Sequence, residues 1–213
     1  MDLPTVVDLV TEGYNRYTLS VAGTEILIQS SASELAVVFR GSDSAGDWLV
    51  NLDAGRVPFF GVPGAEVHGG FFTAYCRARQ DLLRAVENAD PFRRKTVWAI
   101  GHSHGGSKAV LFAADLLLNK TYRADRVRGR TFGCPNTGNA EFNALLSQVD
   151  VDQYEHGYDP VPSVPPAIMG YQKLRFTIQG WSWWHTWLPV IRRLPSRIAR
   201  DHLWKNYARV FGG

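Results

Sequence analysis

The feature that most constrains this fold is a short glycine-rich segment between a predicted strand and a predicted helix. The strand is Thr96–Ile100, the helix is Gly105–Leu118, and Gly101–Gly105 between them reads GHSHG, which matches G-x-S-x-G. Such a serine lies on a tight turn, where glycine two residues to either side avoids collision with neighbouring backbone. We therefore expect Ser103 to be a nucleophile displayed at the edge of an α/β sheet.

The remaining sequence alternates between patterns typical of strands and of helices. We predict strands at 18–21, 24–29, 34–39, 53–60, 96–100, 130–133, 152–155 and 173–178, and helices at 70–88, 105–118, 140–149 and 201–211. This alternation indicates an α/β fold with a mainly parallel sheet and helices on both faces. No repeat or linker divides the 213 residues, so we expect one domain over residues 1–213.

Composition excludes several classes of protein. Hydrophobic residues make up 45% and charged residues 20% of the chain, which is unlike a disordered chain, a collagen or a coiled coil. No apolar run approaches the ~18 residues of a membrane span, and the N-terminus lacks the pattern of a secretory signal. We expect a cytoplasmic protein, or one exported without a classical signal peptide. Cys76 and Cys134 form no disulfide framework or metal-ligand pattern, so we expect two reduced thiols.

A serine nucleophile requires a base, and the base requires an orienting carboxylate. In this type of sheet the chain order is serine, acid, histidine. Asp159 is favoured as the acid because it follows a predicted strand and is held by Pro160 and Pro162, although an Asp-Pro turn is an alternative role. His202 is favoured as the base because it directly precedes a helical pattern, whereas His185 lies among tryptophans. The other downstream carboxylates are Asp115, Asp125, Glu141, Asp150, Asp152, Glu155 and Asp201.

Seven short motifs occur in order along the chain. They are Phe39–Ser42 (FRGS), Asp47–Leu49 (DWL), Val67–Phe71 (VHGGF), Gly101–Gly106 (GHSHGG), Thr131–Pro135 (TFGCP) with Gly138 and Asn139, Asp159–Pro162 (DPVP) and Asp201–Leu203 (DHL). Together they resemble the class 3, or fungal-type, lipase family over about residues 35 to 211. The resemblance implies an α/β-hydrolase fold and a catalytic triad of Ser103, Asp159 and His202. It also implies an oxyanion hole formed by the backbone N–H groups of Ser42 and His104.

Two positions depart from the family's pattern. His104 stands where leucine is common, and Asn136 stands where arginine is usual. In the family, the segment after the oxyanion strand forms a short lid, and the resemblance therefore implies a lid that contains Asp47, Trp48 and Leu49. An ordinary surface loop is the alternative interpretation of this segment.

The C-terminal part of the chain is basic and rich in tryptophan. From residue 171 onward it contains eight lysines and arginines against one acid, while the whole chain has a net charge of only +3. Tryptophans beside basic residues suit contact with an anionic membrane surface, although the tryptophans could equally fill a core. No nucleic-acid motif accompanies the charge, so we expect no nucleic-acid partner. The tryptophans of this region are Trp181, Trp183, Trp184 and Trp187.

These observations lead to one functional hypothesis. We expect a serine hydrolase, triacylglycerol lipase-like or phospholipase-like, that cleaves a lipid or another hydrophobic ester through an acyl-enzyme, without a metal or cofactor. One alternative is a soluble carboxylesterase or thioesterase that is not activated at interfaces. The other is a non-catalytic lipid-binding module on the same fold. The sequence leaves the oligomeric state open.

Overall fold

The computed structural model describes residues 1–41, 55–174, 177–180 and 201–212. Nine strands lie in these ranges, seven of them in one sheet and two in a separate pair. They are β1 (Leu19–Val21), β2 (Thr24–Ser30), β3 (Glu34–Phe39), β4 (Arg56–Pro58), β5 (Glu66–His68), β6 (Thr96–His102), β7 (Val127–Phe132), β8 (Asp150–His156) and β9 (Thr177–Gly180).

The large sheet has the strand order β1-β2-β3-β6-β7-β8-β9. Strands β1, β2 and β3 pair antiparallel, whereas β3, β6, β7, β8 and β9 are all parallel to one another. The predicted mainly parallel sheet is therefore confirmed. Because parallel strands all end at the same edge, the carboxyl ends of β6, β7 and β8 lie side by side and can build one site.

Helices cover both faces of the sheet, as predicted. Side chains alternate along β3: Leu35, Val37 and Phe39 join the core on one face, while Ala36 and Val38 join the core on the other. Helices α2, α3 and α4 pack on the first face, and α1 and α5 pack on the second. The helices are α1 (Leu3–Asn15), α2 (Gly69–Ala89), α3 (His104–Leu118), α4 (Ala140–Leu146) and α5 (Trp204–Phe211).

Helix α1 is absent from the elements predicted above, which begin at residue 18. The sequence does contain signals for it: the Asp2 side chain accepts a hydrogen bond from the Thr5 N–H at 3.0 Å, and Pro4 lies in the first turn. Val6, Val7 and Val10 then form the buried stripe of an amphipathic helix. This helix packs beside α5.

The predicted C-terminal helix and the last strand are displaced from their expected positions. The helix begins at Trp204 rather than at residue 201, so Asp201 and His202 precede it. The last strand is Thr177–Gly180 rather than residues 173–178, because β9 pairs with β8 in the register Gln153↔Thr177. Tertiary pairing therefore overrides the local pattern here.

Two further findings bear on the sequence expectations. Within the described ranges, no helix combines the length and apolar character that a bilayer span requires. Cys76 is exposed and Cys134 is buried, and neither forms a disulfide. Burial raises the pKa of the Cys134 thiol to about 12, which makes it an unreactive core side chain.

Candidate active site

Ser103 lies in the tight turn between β6 and α3. Its backbone has φ 57° and ψ −132°, a left-handed φ that is strained for a residue with a side chain. The turn is held on both sides, since the Ser103 N–H donates to the Phe132 carbonyl and the Gly106 N–H donates to the Ser103 carbonyl, each at 2.8 Å. The rigid core on either side of the turn therefore offsets the strain.

The glycines around Ser103 are required by close backbone approach. A Cβ atom on Gly101 would lie 2.4 Å from the carbonyl carbon of Gly105, and one on Gly105 would lie 2.2 Å from the carbonyl oxygen of Phe39. Neither position can therefore accept a side chain while the turn keeps this shape. This is the physical reason for the G-x-S-x-G spacing.

Ser103, His202 and Asp159 form a continuous chain of hydrogen bonds. His202 Nε2 lies 2.8 Å from Ser103 Oγ, and His202 Nδ1 lies 2.7 Å from Asp159 Oδ2. The three side chains come from different parts of the fold: the turn after β6, the segment before α5 and the loop after β8. Ser103 is fully buried, and the side chains of His202 and Asp159 are 4% and 1% exposed. The geometry is that of a nucleophile, a base and an orienting acid.

Two further groups hold the Asp159 carboxylate. The Tyr207 hydroxyl donates to Oδ2 at 2.5 Å, and the Val161 N–H donates to Oδ1 at 2.9 Å. The Tyr207 oxygen also accepts a hydrogen bond from the His156 N–H at 3.1 Å. Burial, and after it the Asp159 charge, raises the pKa of Tyr207 well above its usual value, so the hydroxyl remains a donor.

Sequence reasoning missed both Tyr207 and Gly133. Tyr207 lies on the predicted helix after His202, but its contact with Asp159 crosses 48 positions of sequence. Gly133 has φ +56°, and a Cβ atom there would lie 2.8 Å from Asp159 Oδ2 and 3.1 Å from His202 Cε1. Gly133 belongs to the TFGCP motif, and this motif was the sequence signal that could have indicated its place beside Asp159 and His202.

The other candidate carboxylates have different partners. Asp115 pairs with Arg79, Asp125 with Arg123, Glu155 with Lys173, and Asp150 and Asp152 with Arg130. Asp201 Oδ2 accepts from the Tyr158 N–H at 2.9 Å, and Glu141 is exposed on α4. Among the described carboxylates, Asp159 is the one that hydrogen-bonds to His202. The rival histidine, His185, lies outside the described residues.

His104 opens helix α3 directly after Ser103. The N-terminal amides of a helix attract negative charge, so its backbone lies where an oxyanion would be stabilised. Its ring packs 5.2 Å from that of Phe71. Burial, together with the charges of Lys108 and His68, lowers the pKa of His104 to about 3, so the imidazole is neutral at ordinary pH. The other oxyanion candidate, Ser42, and the lid candidates Asp47, Trp48 and Leu49 lie outside the described residues.

Asn136, which stands where the family usually has arginine, fixes the segment that follows Asp159. Its side-chain Nδ2 donates to the Pro165 carbonyl, and its backbone N–H donates to the Val164 carbonyl, both at 2.9 Å. A neutral amide suits this buried position, where an isolated charge would be costly.

A serine on a strand-to-helix turn, joined to a histidine and an aspartate at the carboxyl edge of a mainly parallel sheet, is the arrangement typical of serine hydrolases of the α/β-hydrolase type. Family comparison narrows the class. The family described as Lipase (class 3) matches residues 36–169, more than half of the sequence, and the chain belongs to this family. The matched range includes Ser103 and Asp159, whereas α1 and His202 lie beyond it.

Individual relatives agree with this assignment. The chain is 31% identical over 153 residues to a secreted mono- and diacylglycerol lipase 1 of Fusarium solani, covering 70% of this chain and 45% of the relative. It is 31% identical over 147 residues to a lipase of Rhizomucor miehei, covering 66% and 40% of the two chains. The chain thus spans less than half the length of these curated relatives.

A solved structure confirms the fold. The structure of the Rhizomucor miehei triacylglyceride lipase matches with a TM-score of 0.68 and 26% sequence identity, over 78% of this chain and 64% of that chain. The α/β-hydrolase fold expected from the sequence is therefore confirmed.

Proposed function

We propose that this protein is a serine ester hydrolase that cleaves lipid or other hydrophobic carboxylic esters. The observation that supports this most directly is the unbroken hydrogen-bonded path from Ser103 Oγ through His202 to Asp159, with distances of 2.8 and 2.7 Å. Membership of the class 3 lipase family supports the choice of an ester bond.

In the proposed mechanism, Ser103 Oγ attacks the ester carbonyl carbon while its proton moves to His202 Nε2. Asp159 stabilises the imidazolium that forms. The backbone N–H of His104 stabilises the negative charge on the tetrahedral intermediate, with the Ser42 N–H proposed as the second donor. The C–O bond to the alcohol then breaks, and His202 returns the proton to that alcohol. Water, activated in the same way, releases the acid from the acyl-serine.

The substrate class follows from the relatives and from the chemistry of the site. The two relatives are named as a mono- and diacylglycerol lipase and as a lipase. The ring of His104, the residue after the nucleophile, is neutral and packs against Phe71. We therefore propose uncharged acyl esters as substrates, with the acyl-chain length and the alcohol to be determined by measurement.

A labelling experiment tests the nucleophile. The wild-type chain, Ser103→Ala and the matched control Ser107→Ala are each treated with a fluorophosphonate and assayed on p-nitrophenyl butyrate and on emulsified mono-, di- and triacylglycerols. Ser107 is also fully buried and lies one turn further along α3. We expect labelling and turnover in wild type and Ser107→Ala, with loss of both in Ser103→Ala. An unlabelled wild-type chain would instead favour the non-catalytic lipid-binding alternative.

We also propose weak adsorption of the basic C-terminal region to anionic lipid surfaces. Most of this region lies outside the described residues, including its four tryptophans. Of the described residues in this region, Leu203, next to His202, is 45% exposed, and Ile168, which precedes the region, is 95% exposed. Each basic residue that reaches an anionic surface contributes about 1 kcal/mol, and salt weakens the attraction. Sedimentation with phosphatidylglycerol vesicles should exceed that with phosphatidylcholine vesicles and fall at 1 M salt; equal binding to both would exclude this proposal.

A further inference from the structure

Two buried histidines outside the proposed triad lie at the carboxyl ends of strands β6 and β8. His102 is the last residue of β6 and is 4% exposed, and His156 is the last residue of β8 and is fully buried. Both rings contact Tyr207, with centroid distances of 5.3 and 5.7 Å. They therefore flank the tyrosine that holds the Asp159 carboxylate.

These two rings bind successive backbone carbonyls of the segment that contains His202. His102 Nε2 lies 3.0 Å from the His202 carbonyl oxygen, and His156 Nδ1 lies 3.2 Å from the Asp201 carbonyl oxygen. A carbonyl oxygen only accepts hydrogen bonds, so each of these ring nitrogens must have a proton. The two tautomers are thus set by the segment that the rings hold.

Tyr14 of helix α1 completes the arrangement around His102. With the proton on Nε2, His102 Nδ1 is an acceptor, and the Tyr14 hydroxyl donates to it at 2.7 Å. Burial, and after it the charge of His202, lowers the pKa of His102 well below its usual value. The His102 ring, which stacks on that of His202 with centroids 4.9 Å apart, therefore remains neutral when His202 takes up a proton.

We propose that His102 and His156 are positioning residues for His202, an inference that rests on the hydrolase function proposed above. His202 lies outside α5, in the segment that directly precedes this helix. Two imidazole donors on adjacent peptide carbonyls fix this backbone, so that the His202 ring reaches both Ser103 and Asp159. A displacement of about 1 Å in such a site costs on the order of 10²-fold in rate. Through Tyr14, helix α1 becomes part of the same support.

Paired substitutions separate this role from packing. His102→Phe keeps a flat ring and loses the donor, whereas His102→Gln keeps an N–H group near the position of Nε2. His156→Leu and His156→Asn form the equivalent pair for Nδ1. Tyr14→Phe removes only the hydroxyl that anchors His102, and Tyr17→Phe is its matched control because Tyr17 is 50% exposed just beyond α1. Each variant is assayed for kcat, KM, melting temperature and the downfield proton NMR signal of His202 Nδ1–H.

We expect His102→Phe to lower kcat on p-nitrophenyl butyrate by on the order of 10²-fold, with little change in KM. The His202 Nδ1–H signal should broaden in this variant. His102→Gln should keep most of the wild-type kcat and most of the sharpness of that signal. Tyr14→Phe should lower kcat several-fold, and Tyr17→Phe should not.

If His102→Phe does not fold, the His156 pair and Tyr14→Phe test the same point. If His102→Phe and His156→Leu keep the wild-type kcat and an unchanged His202 Nδ1–H signal, the inference is overturned. A wild-type chain that resists fluorophosphonate would instead refute the hydrolase function, and the NMR comparison would still test the positioning.

Discussion

Two buried aspartates, one at the carboxyl edge of the sheet and one on helix α3, have closely similar surroundings. Asp159 accepts from the Tyr207 hydroxyl at 2.5 Å and pairs with His202 Nδ1 at 2.7 Å. Asp115, on α3, accepts from the Tyr75 hydroxyl at 2.6 Å and pairs with Arg79, whose Nε and Nη2 lie 2.7 and 3.0 Å from the carboxylate oxygens. Each site therefore combines a carboxylate, a phenol and a nitrogen partner.

The difference lies in what the nitrogen partner can do. The Arg79 guanidinium is always protonated and binds the carboxylate through two parallel bonds, so the pair locks α2 to α3. An imidazole can lose and regain a proton near neutral pH, so the same arrangement around His202 can take part in proton transfer. The sites are also separated, because Asp115 follows Ser103 by about 18 Å along helix α3 at ~1.5 Å per residue. One is suited to stability and the other to chemistry.

The largest expected effect comes from removing the negative charge of Asp159 at the proposed active site. Asp159→Asn leaves a similar shape but favours the wrong tautomer of His202, since Nδ1–H no longer faces a carboxylate. We expect kcat on p-nitrophenyl butyrate to fall about 10⁴-fold, with a small change in melting temperature. A decrease of less than tenfold would show that Asp159 is not the orienting acid.

The matched substitution at Asp115 should have the opposite profile. Asp115→Asn leaves the partly exposed Arg79 without its countercharge and weakens the hydrogen bonds at this site, and a hydrogen bond to a charged group contributes about 1.5–3 kcal/mol. We expect the free energy of unfolding in urea to fall by that amount while kcat of the folded fraction stays at the wild-type value. Because the two sites are more than about 10 Å apart, the effects of Asp159→Asn and Asp115→Asn should be additive. A large loss of kcat in Asp115→Asn alone would contradict the distinction between the two sites.

This division also explains what could be predicted from the sequence. The turn around Ser103 depends on residues within a few positions of it, so spacing alone locates it. The choice between His202 and His185 depends on which loop the fold brings to the strand ends, and spacing only favoured one of them until the family resemblance was added. Tyr207 and Tyr14 act through contacts that cross 48 and 88 positions, and no local pattern indicates such pairs. Helix α1, in contrast, had local signals at Asp2 and Pro4 and was missed.

Lys108 provides a third case for this comparison, since in the described part of the chain it is a buried charge without a carboxylate partner. It is 4% exposed, and no carboxylate in the described part of the chain lies within ion-pair distance of its ammonium group. Burial lowers its pKa to about 8, with a smaller opposing effect from Glu25. We therefore expect Lys108→Met to stabilise the folded state at pH 7 by about 2 kcal/mol.

The same substitution should change the pH dependence of stability. The folded-state pKa of Lys108, about 8, lies below the ordinary value of 10.5, so the unfolded chain binds more protons between these two pH values. The contribution of Lys108 to stability therefore rises with pH across this window. The difference in unfolding free energy between Lys108→Met and wild type should shrink from pH 7 to pH 10. A constant difference would mean that Lys108 is not buried as a charge.

The smallest expected effects come from the two tyrosines, which test the comparison at single hydrogen bonds. Tyr207→Phe and Tyr75→Phe each remove one hydroxyl from a buried carboxylate, and a hydrogen bond to a charged group contributes about 1.5–3 kcal/mol. On the active-site side, part of this loss should appear as a roughly tenfold lower kcat, because Asp159 is then less firmly held against His202. At the Asp115 site, Tyr75→Phe should lower the unfolding free energy by about 1.5 kcal/mol and leave kcat unchanged. Urea unfolding and p-nitrophenyl butyrate turnover of both variants measure the two effects. If both variants lose unfolding free energy but keep the wild-type kcat, Tyr207 supports the fold as Tyr75 does and has no part in orienting Asp159.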